Sequence, residues 1–380
     1  MHMSLGARLA CAFMYCCRLF PIQKNKIVFS SFFGQKYNDS PRAISEELSA
    51  HQDIRQIWIL PEGVKHPENI KAVPPQSLAS LFHLATARVW VDNSRKRGYI
   101  RKRKNQFYIQ TWHGGVCLKR VEGDALDGLT PAYIESAKND SKMADVFISA
   151  CEWRTKQYRS AFWYNGEVMK CGLPRNRIYH QDIALIKGKV WDFFSLKPDV
   201  HIILYAPTFR SGNRVDAYCI HPERVLDAYS KRYGGSWVFL VRLHPAAAHL
   251  DCGIRYTDRV LNATAYGDIN ELIMCSDVLI TDYSGCLFDA FHLRKKAIIF
   301  APDLEEYLSQ DRQLYFNIRE LPAPVAENND ELINTIETID LQDYSKKIEA
   351  FESEMGYYPD ENAASEICSR IVQVMHSEKQ

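Results

Sequence analysis

Short apolar runs alternate with amphipathic stretches along most of this chain of 380 residues. The runs are rich in Val, Ile and aromatic side chains, which favours β-strands, and the stretches between them have helical periodicity. This alternation predicts βα units built around parallel sheets in an α/β protein. The predicted strands span 27–30, 56–60, 88–92, 107–112, 146–149 and 168–171 in a first series, and 201–206, 237–243, 278–281 and 297–300 in a second.

A polar and basic stretch at residues 179–198 lacks this pattern and separates the two series. We therefore expect two Rossmann-like domains, at residues 23–190 and 199–380, that face each other across a central cleft, in line with a length typical of about two domains. A helix is expected to begin at Ser40-Pro41, a pair typical of a helix start. Further helices are expected over 222–232, 269–275, 285–293 and 361–374.

The chain begins with an apolar stretch, Leu5 to Phe20, that contains two arginines. It is shorter than the roughly 20 residues that span a bilayer, and the residues after it offer no cleavage site for a signal peptidase. Two interpretations stay open: residues 1–22 form a helix on the membrane surface, or they cap the first domain. The basic run from Arg95 to Lys104 is either a solvated face or a contact for anionic lipid or a polyanionic acceptor.

Composition limits the class of protein. Hydrophobic residues make up 46% of the chain and charged residues 24%, which is typical of ordered globular domains. The formal net charge of +1 argues against a nucleic-acid binder, because such proteins usually carry a large basic excess. Eleven cysteines without a C-x-x-C pair indicate reduced, cytosolic thiols rather than a disulfide framework.

Four of the predicted strands end abruptly at clusters of polar residues. Since the carboxyl ends of parallel strands meet at one edge of a sheet, beside helix amino termini with free N–H groups, this pattern predicts one site for an anionic ligand. We expect the first cluster on one wall of the cleft and the other three on the opposite wall. The clusters are His113 to Gly115, Thr208 to Arg210, Arg242 to His244, and Thr281 to Gly285.

Two of these clusters carry cations. Arg242 and His244 lie two residues apart on an extended segment, so both side chains point to the same side and together could neutralise a diphosphate. Thr208 and Arg210 add a hydroxyl and a planar guanidinium that suit phosphate oxygens. The alternatives are a satisfied structural histidine at position 244 and a surface salt bridge for Arg210.

The segment Thr281 to Gly285 ends a buried strand and opens a helix. The Ser284 hydroxyl and the N–H groups after it are expected to cradle a phosphate, and Gly285 lets a ligand approach the backbone. Asp282 is expected to orient a loop or to accept a hydrogen bond from ligand hydroxyls. The alternative is that Asp282 or Ser284 only caps the helix.

His113 is the candidate general base. It follows a predicted strand and precedes two glycines, which leaves its imidazole uncovered, and histidine titrates near neutral pH. The histidines show no metal-ligand spacing, because His244 and His249 are five residues apart without further ligands nearby, so we expect neither a metal site nor a cofactor.

Taken together, these motifs resemble those of the CDP-glycerol glycerophosphotransferase family, which comprises the primases and polymerases of teichoic acids and their capsule-building relatives. The resemblance covers roughly residues 24–316, with a weaker match at 362–370. Several motifs in the family's order are far more specific than any one of them. They are Val91-Asp92-Asn93-Ser94-Arg95, Gln110-Thr111-Trp112-His113-Gly114, Cys171-Gly172-Leu173-Pro174-Arg175-Asn176, Tyr205-Ala206-Pro207-Thr208-Phe209-Arg210, Arg242-Leu243-His244-Pro245, Ile280-Thr281-Asp282-Tyr283-Ser284, Phe288-Asp289 and Asp303-Leu304-Glu305-Glu306-Tyr307.

The resemblance implies a GT-B fold and transfer of glycerol phosphate or ribitol phosphate from a CDP-activated polyol, with release of CMP. The acceptor would be a hydroxyl of a membrane-linked glycan or polyol-phosphate chain at the cytoplasmic face of the membrane. The family pattern assigns His113 and His244 to catalysis, the Arg and Ser motif positions to donor phosphates, the second domain to the donor and the first to the acceptor. Gly115 and Gly285 depart from that pattern, which commonly has threonine and serine there, and the departure bears on acceptor choice and donor geometry.

Two other functions stay open. A GT-B glycosyltransferase would move a sugar from a nucleotide-sugar, but Asp282 and Asp289 do not reproduce the E-x7-E spacing of many retaining members. The other function is a non-catalytic scaffold of a polysaccharide assembly complex, against which the intact His113 and His244 argue.

Overall fold

The computed structural model describes residues 4–210, 212, 214–311 and 313–377, apart from the side chain of residue 245. The chain forms two compact units. The N-terminal unit comprises Met1–Gly115, Val121–Arg177 and Tyr357–Gln380, and the C-terminal unit comprises Val116–Arg120 and Ile178–Gly356. Each contains one parallel sheet flanked by helices, which is the α/β architecture that the alternating pattern predicts.

The sheet of the N-terminal unit has seven strands, and all their pairings are parallel. They are β1 (Gln23–Ser30), β2 (Arg55–Ile59), β3 (Lys71–Val73), β4 (Ala87–Asp92), β5 (Phe107–Gln110), β6 (Val146–Ser149) and β7 (Glu167–Lys170). Their order is β3-β2-β1-β4-β5-β6-β7. Six coincide with predicted strands; β3 was not predicted, because it is three residues long and only Val73 is buried.

Helices cover both faces of this sheet. They are α1 (Leu5–Cys16), α2 (Asp39–Glu47), α3 (Leu78–Thr86), α4 (Pro131–Met143), α5 (Glu152–Ser160) and α13 (Ala363–His376). Successive strand residues point to opposite faces, so Val28 and Trp90 pack in one hydrophobic cluster with α1 and α3, whereas Phe29 and Val91 pack in the other with α2 and α13. Helix α2 begins one residue before Ser40, and its N-cap is Asn38 rather than the expected serine.

The boundaries of the two units differ from the predicted domain boundaries at both ends of the second domain. Helix α13 belongs to the N-terminal unit, where Ile367 and Ile371 are fully buried in the cluster that contains Ile44 of α2. Residues 179–198, predicted to be a separating stretch, include α6 (Ile183–Phe194), which packs on the C-terminal unit through α8 (Ile269–Cys275). The periodicity of a helix shows which face is apolar, but it does not show which sheet covers that face.

The C-terminal unit has a six-stranded parallel sheet. Its strands are β8 (Val200–Ala206), β9 (Ser236–Val241), β10 (Val260–Asn262), β11 (Val278–Thr281), β12 (Lys296–Phe300) and β13 (Val325–Ala326), in the order β10-β9-β8-β11-β12-β13. The other helices are α7 (Pro222–Tyr233), α9 (Cys286–His292), α10 (Leu304–Gln310), α11 (Asn329–Thr338) and α12 (Leu341–Met355). Because β9, β8, β11 and β12 are neighbours, the polar clusters that follow them lie at the same sheet edge.

The first helix caps the N-terminal unit, as one of the two interpretations predicts. Met14 is buried in the cluster beneath α3, together with Cys17 just after the helix. Its other face leaves Leu5 and Leu9 exposed. No helix in the described part of the chain has the length and apolar content needed to cross a bilayer.

The basic run does not form one exposed patch. Arg95 and Lys96 are buried, where Arg95 pairs with Glu122 and Asp140 and Lys96 pairs with Asp92 at 2.5 Å. These two cations therefore stabilise the fold and cannot contact lipid. The remaining basic side chains of the run are wholly or partly exposed.

Candidate active site

His113 lies in an exposed position just after β5. The backbone turns sharply there, because Trp112 adopts a left-handed conformation with φ of +53°. The backbone N–H of Trp112 donates to the side-chain oxygen of Gln110 at 2.9 Å. The imidazole stacks on Trp112, with 4.5 Å between ring centroids. Its Nδ1 is 2.9 Å from the carbonyl oxygen of Asn93, the residue that follows β4.

The pKa of His113 is lowered from the ordinary histidine value. Desolvation by the surrounding protein is the largest cause, and the positive charges of Arg154 and Arg175 add to it. The hydrogen bond with the Asn93 carbonyl and the negative charge of Asp39 act in the opposite direction without cancelling the shift. A neutral imidazole near pH 7 is the form that a general base requires.

In the C-terminal unit, Asp282 holds the loop that follows β8. Its carboxylate is buried and accepts the Thr208 N–H at 2.8 and 3.0 Å, as well as the N–H of Tyr283 at 2.6 Å. It also accepts Arg210 Nη1 at 2.8 Å. Asp282 therefore orients a loop, one of its two expected roles. The N-cap of α9 is Gly285, so Asp282 does not cap that helix.

Arg210 is a structural cation, which corrects its expected role as a phosphate ligand. Its side chain is 1% exposed and lies near the rings of Tyr283 and Tyr307. Asp303 accepts Nε at 2.6 Å and Nη2 at 3.0 Å in a bidentate pair, while Asp282 accepts Nη1. Burial alone would lower the pKa of Arg210, but the two carboxylates more than offset it and raise that pKa.

Thr281 is also structural rather than a ligand contact. It is fully buried at the end of β11, where its hydroxyl donates to the carbonyl oxygen of Ala206 at 2.7 Å. Its Oγ1 also lies 3.6 Å from the thiol sulfur of Cys286. The hydrogen bond between Thr281 and Ala206 joins the carboxyl ends of β8 and β11. This structural role corrects the expectation that Thr281 contacts substrate.

Arg242 keeps part of its guanidinium available. Nη1 donates to the carbonyl oxygens of Ala263 at 3.1 Å and Tyr266 at 2.6 Å, whereas Nε and Nη2 have no hydrogen-bond partner within the described residues. Burial is the largest cause that lowers the pKa of Arg242, and Asp268 opposes it, but an arginine stays charged at physiological pH. An anchored cation with unused donors suits a phosphate ligand.

In their neutral forms, His244 and His113 carry the proton on different ring nitrogens. Its exposed ring accepts the N–H of Ala246 at Nδ1, at 3.1 Å, so the neutral form carries its proton on Nε2. The Asn93 carbonyl can only accept, so it requires the proton of His113 on Nδ1 and leaves Nε2 as a lone-pair acceptor. His113 is therefore suited to take a proton and His244 to donate a hydrogen bond.

Three further predicted residues flank this sheet edge. Ser284 is partly exposed, and Gly285 is exposed with no atom within 4 Å of the position a Cβ would take. The Thr208 hydroxyl is buried and has no hydrogen-bond partner within the described residues, an unusual state for such a group. The Ser284 hydroxyl accepts the N–H of Cys286 at 3.4 Å, so of the two hydroxyls only that of Thr208 lacks a hydrogen-bond partner within the described residues.

Some residues that position the site belong to the motifs named above but were given no role from the sequence. They are Asn93, Tyr283, Asp303 and Tyr307. Asp303 follows β12, so the strand-end criterion that selected the other clusters would have found it. Within either unit, no three His, Cys, Asp or Glu side chains of the described residues approach closely enough to share a metal ion.

Comparison with known proteins identifies the family. The model of the CDP-Glycerol:Poly(glycerophosphate) glycerophosphotransferase family matches residues 12–373. The chain belongs to this family. The resemblance seen in the sequence is thereby confirmed, and the motif residues described above are those of a glycerophosphotransferase family member.

Two curated relatives have similar sequences. The teichoic acid glycerol-phosphate transferase of Staphylococcus aureus (strain NCTC 8325 / PS 47) is 30% identical over 366 residues, which cover 92% of this chain and 93% of the relative. The teichoic acid poly(glycerol phosphate) polymerase of Bacillus subtilis (strain 168) is 32% identical over 350 residues, which cover 87% of this chain. The match covers only 46% of that polymerase, so the chain spans about half of its length.

Solved structures agree with the fold. The wall teichoic acid polymerase TagF has a TM-score of 0.84 and 29% sequence identity, over 97% of this chain and 94% of that one. The predicted GT-B fold of the α/β class is thereby confirmed. The MnaA-UDP co-structure from S. aureus, at 13% identity and a TM-score of 0.57, shares the fold alone.

If Arg210 is structural, its removal destabilises the C-terminal unit even without ligand. In Arg210→Ala, Asp282 would stay buried without a cation and Asp303 would keep only Arg214, at 3.8 Å. We therefore expect the free energy of unfolding to fall by about 3 to 5 kcal/mol. Urea unfolding of the ligand-free protein measures this loss. Arg224→Ala is the control, because Arg224 forms an exposed pair with Asp330 and should cost about 1 kcal/mol or less. Equal losses in the two variants would contradict the structural role.

Proposed function

We propose that this glycerophosphotransferase family member transfers glycerol phosphate, or ribitol phosphate, from a CDP-activated polyol to an acceptor hydroxyl and releases CMP. The acceptor is a membrane-linked glycan or polyol-phosphate chain of teichoic-acid or capsule synthesis. The observation that carries the proposal is the hydrogen-bonding state of His113: an exposed imidazole whose Nδ1 is bound to a carbonyl oxygen and whose Nε2 has no hydrogen-bond partner within the described residues. That state fits a base that activates a hydroxyl.

The proposed reaction consists of one phosphoryl transfer and one proton transfer. The acceptor oxygen bonds to the β-phosphorus of the CDP-polyol while its proton passes to Nε2 of His113. The bond between that phosphorus and the bridging oxygen breaks, and CMP leaves with the electron pair. The imidazolium then returns its proton to solvent. Phosphoryl transfer depends mainly on positioning and on stabilising the developing charge, so cationic and hydrogen-bond donors matter most at the diphosphate.

The polar groups of the C-terminal unit supply those donors. We assign the diphosphate to the unused donors of Arg242, the Nε2–H of His244 and the hydroxyls of Thr208 and Ser284, with Gly285 giving space beside the backbone. This places the donor on the C-terminal unit and the acceptor on the N-terminal unit. The crystals of a TagF variant soaked with CDPG support a donor of this class. We expect no cofactor beyond the donor.

Donor preference tests the proposal directly. Purified protein should release CMP from CDP-glycerol or CDP-ribitol, and extracts that contain membrane-linked acceptors should increase the rate. A nucleotide-sugar consumed in place of both CDP-polyols would instead indicate the glycosyltransferase. If neither class of donor is turned over in the presence of acceptor, the chain is a non-catalytic scaffold.

Removal of the proposed base should abolish most of the turnover. We expect His113→Ala to lower kcat by at least about 100-fold, since general bases contribute roughly 100- to 10,000-fold. Donor affinity measured by calorimetry should stay near that of the wild type, because the donor groups lie in the other unit. His66→Ala is the control, as His66 lies outside every strand-end cluster. Wild-type turnover in His113→Ala would refute the role.

The lowered pKa of His113 gives the same base a pH signature. Protonation removes the lone pair on Nε2, so kcat/KM should fall as the pH falls through that pKa. The midpoint of this acid limb should lie below 6.5, the ordinary histidine value, because desolvation, Arg154 and Arg175 all disfavour the charged form. A pH profile with an acid limb centred above 6.5 would contradict the assignment.

Arg242 should act on the donor rather than on the fold. A charge-assisted contact with phosphate is worth roughly 1.5 to 3 kcal/mol, so Arg242→Ala should weaken CDP-glycerol binding by about 10- to 150-fold. Isothermal titration calorimetry measures the affinity, with Arg224→Ala as an exposed arginine control in the same unit. Unchanged affinity in Arg242→Ala would exclude this contact.

We further propose that the N-terminal unit binds the inner surface of an anionic membrane peripherally. Helix α1 and the residues after it expose Leu5, Leu9, Leu19 and Phe20, the first three at more than 60% of their surface. Arg103 donates to the Phe20 carbonyl at 2.8 Å, which brings the exposed end of the basic run beside these apolar side chains. Apolar residues beside cations suit an anionic interface.

A substitution on the exposed face of α1 tests this binding without removing the buried face. The double variant Leu5→Glu, Leu9→Glu should bind anionic vesicles much more weakly than the wild type, whose own binding should weaken at high salt. Leu308→Glu is the control, because that exposed leucine lies in the C-terminal unit. Vesicle sedimentation measures the bound fraction. Equal binding of the double variant and the control would rule out α1 as the anchor.

A further inference from the structure

Strained backbone surrounds His113. Among the described residues, Phe32, Phe33 and Asp39 adopt left-handed conformations in the segment after β1, with φ of +46°, +59° and +62°, and Trp112 does so beside His113. Such conformations are unfavourable for residues other than glycine and persist only where neighbouring contacts hold them. The Phe32 ring lies 5.7 Å from the His113 imidazole, so this turn forms part of the surroundings of the base.

One buried residue joins the strained turn to the base. Asn93 is fully buried. Its Oδ1 accepts the Phe32 N–H at 2.7 Å, and its Nδ2 donates to the Ser31 hydroxyl at 3.2 Å. The Ser31 hydroxyl in turn donates to Asn38 Oδ1 at 2.9 Å. The backbone carbonyl of the same Asn93 is the partner of His113 Nδ1. The side chain of Asn93 thus fixes the position of the carbonyl that the base uses.

The C-terminal unit contains the same construction. Asn93 is the first residue after β4, and Phe32 is the second residue after the neighbouring strand β1. Asp282 is the first residue after β11, and Thr208 is the second residue after the neighbouring strand β8. The two side-chain bonds to backbone N–H groups, at 2.7 and 2.8 Å, are equivalent. In each unit, the first residue after one strand therefore holds the loop that follows the neighbouring strand.

We propose that Asn93 is a positioning residue that fixes the tautomer and orientation of His113, so that Nε2 faces the acceptor hydroxyl. Its carbonyl keeps the proton on Nδ1 before transfer and accepts the Nδ1–H of the imidazolium afterwards. The stacked Trp112 and the nearby Phe32 fix the plane of the ring. The catalytic part of this role rests on the proposed phosphotransfer function, whereas the tautomer is a property of the protein alone.

The test combines kinetics with a measurement that needs no activity. Asn93→Ala removes all three side-chain bonds, including the one that Oδ1 accepts from the Ser94 hydroxyl at 3.1 Å, so the turn and the carbonyl should shift. We expect kcat to fall by about 10- to 100-fold, the range seen when the partner that orients a functional histidine is removed, and KM for CDP-glycerol to change little. NMR of protein labelled with 15N-histidine, assigned with His113→Gln, should show protonated Nδ1 at His113 in the wild type and a smaller fraction of that tautomer in Asn93→Ala.

A second buried amide provides the matched control. Gln56 is 4% exposed near the start of β2 and hydrogen bonds with Ser45, away from the carboxyl ends of the strands. Gln56→Ala should lower the melting temperature, as Asn93→Ala does, but leave kcat and the His113 tautomer unchanged. If the two variants have the same kcat and the same tautomer, Asn93 has no positioning role and the proposal is overturned.

Two further outcomes are decisive. If Asn93→Ala does not fold, Ser31→Ala removes the bonds of the Ser31 hydroxyl with Asn93 and Asn38 but keeps the bond between the Phe32 N–H and Asn93. It should reduce kcat and the Nδ1–H fraction in the same direction by a smaller amount; no change in either would overturn the proposal. If the wild type releases no CMP from either CDP-glycerol or CDP-ribitol with acceptor present, the proposed function fails. The tautomer measurement then still decides the role of Asn93, and protonated Nε2 in the wild type would refute it.

Discussion

Both units depend on one constraint at the point where the strand order reverses. In each sheet the first strand, β1 or β8, lies beside a strand from later in the chain, β4 or β11, and the chain continues from these two neighbours to strands on opposite sides. Such a switch point opens a crevice for ligands, but it also leaves backbone N–H groups that neither strand can satisfy. Asn93 and Asp282 solve this problem, since each accepts such an N–H from the loop across the switch point.

Asp282 and Asn93 differ in charge, and each suits the groups that surround it. Asp282 is charged and buried, which is unfavourable unless a cation compensates it, and Arg210 together with Asp303 completes that compensation. Asn93 is neutral. A carboxylate in its place would favour the charged form of the nearby imidazole and raise the pKa of His113, whereas a base must be neutral at physiological pH. The amide therefore holds the loop without favouring the charged form of His113, the proposed base.

Strand positions and the family were predictable from the sequence because both depend on local order along the chain. Apolar runs marked ten of the strands, and the motifs that end them identified the family. The short strands β3, β10 and β13 were missed, because two or three residues carry too little pattern. Arg210 and Thr281 do follow or end strands as predicted, but their predicted role was wrong. A sequence does not show with which groups a buried side chain forms its hydrogen bonds.

The sequence by itself determined the α/β class, the strand-end clusters and the choice of His113 as the candidate base, since periodicity and residue chemistry are local properties. Tertiary structure decided which cations remain available: Arg210 is used by two carboxylates from distant segments, while Arg242 is held only by carbonyl oxygens. It also decided that α13 packs on the N-terminal unit. Both outcomes depend on contacts between residues far apart in the chain, and the free energy of those contacts cannot be read from spacing alone.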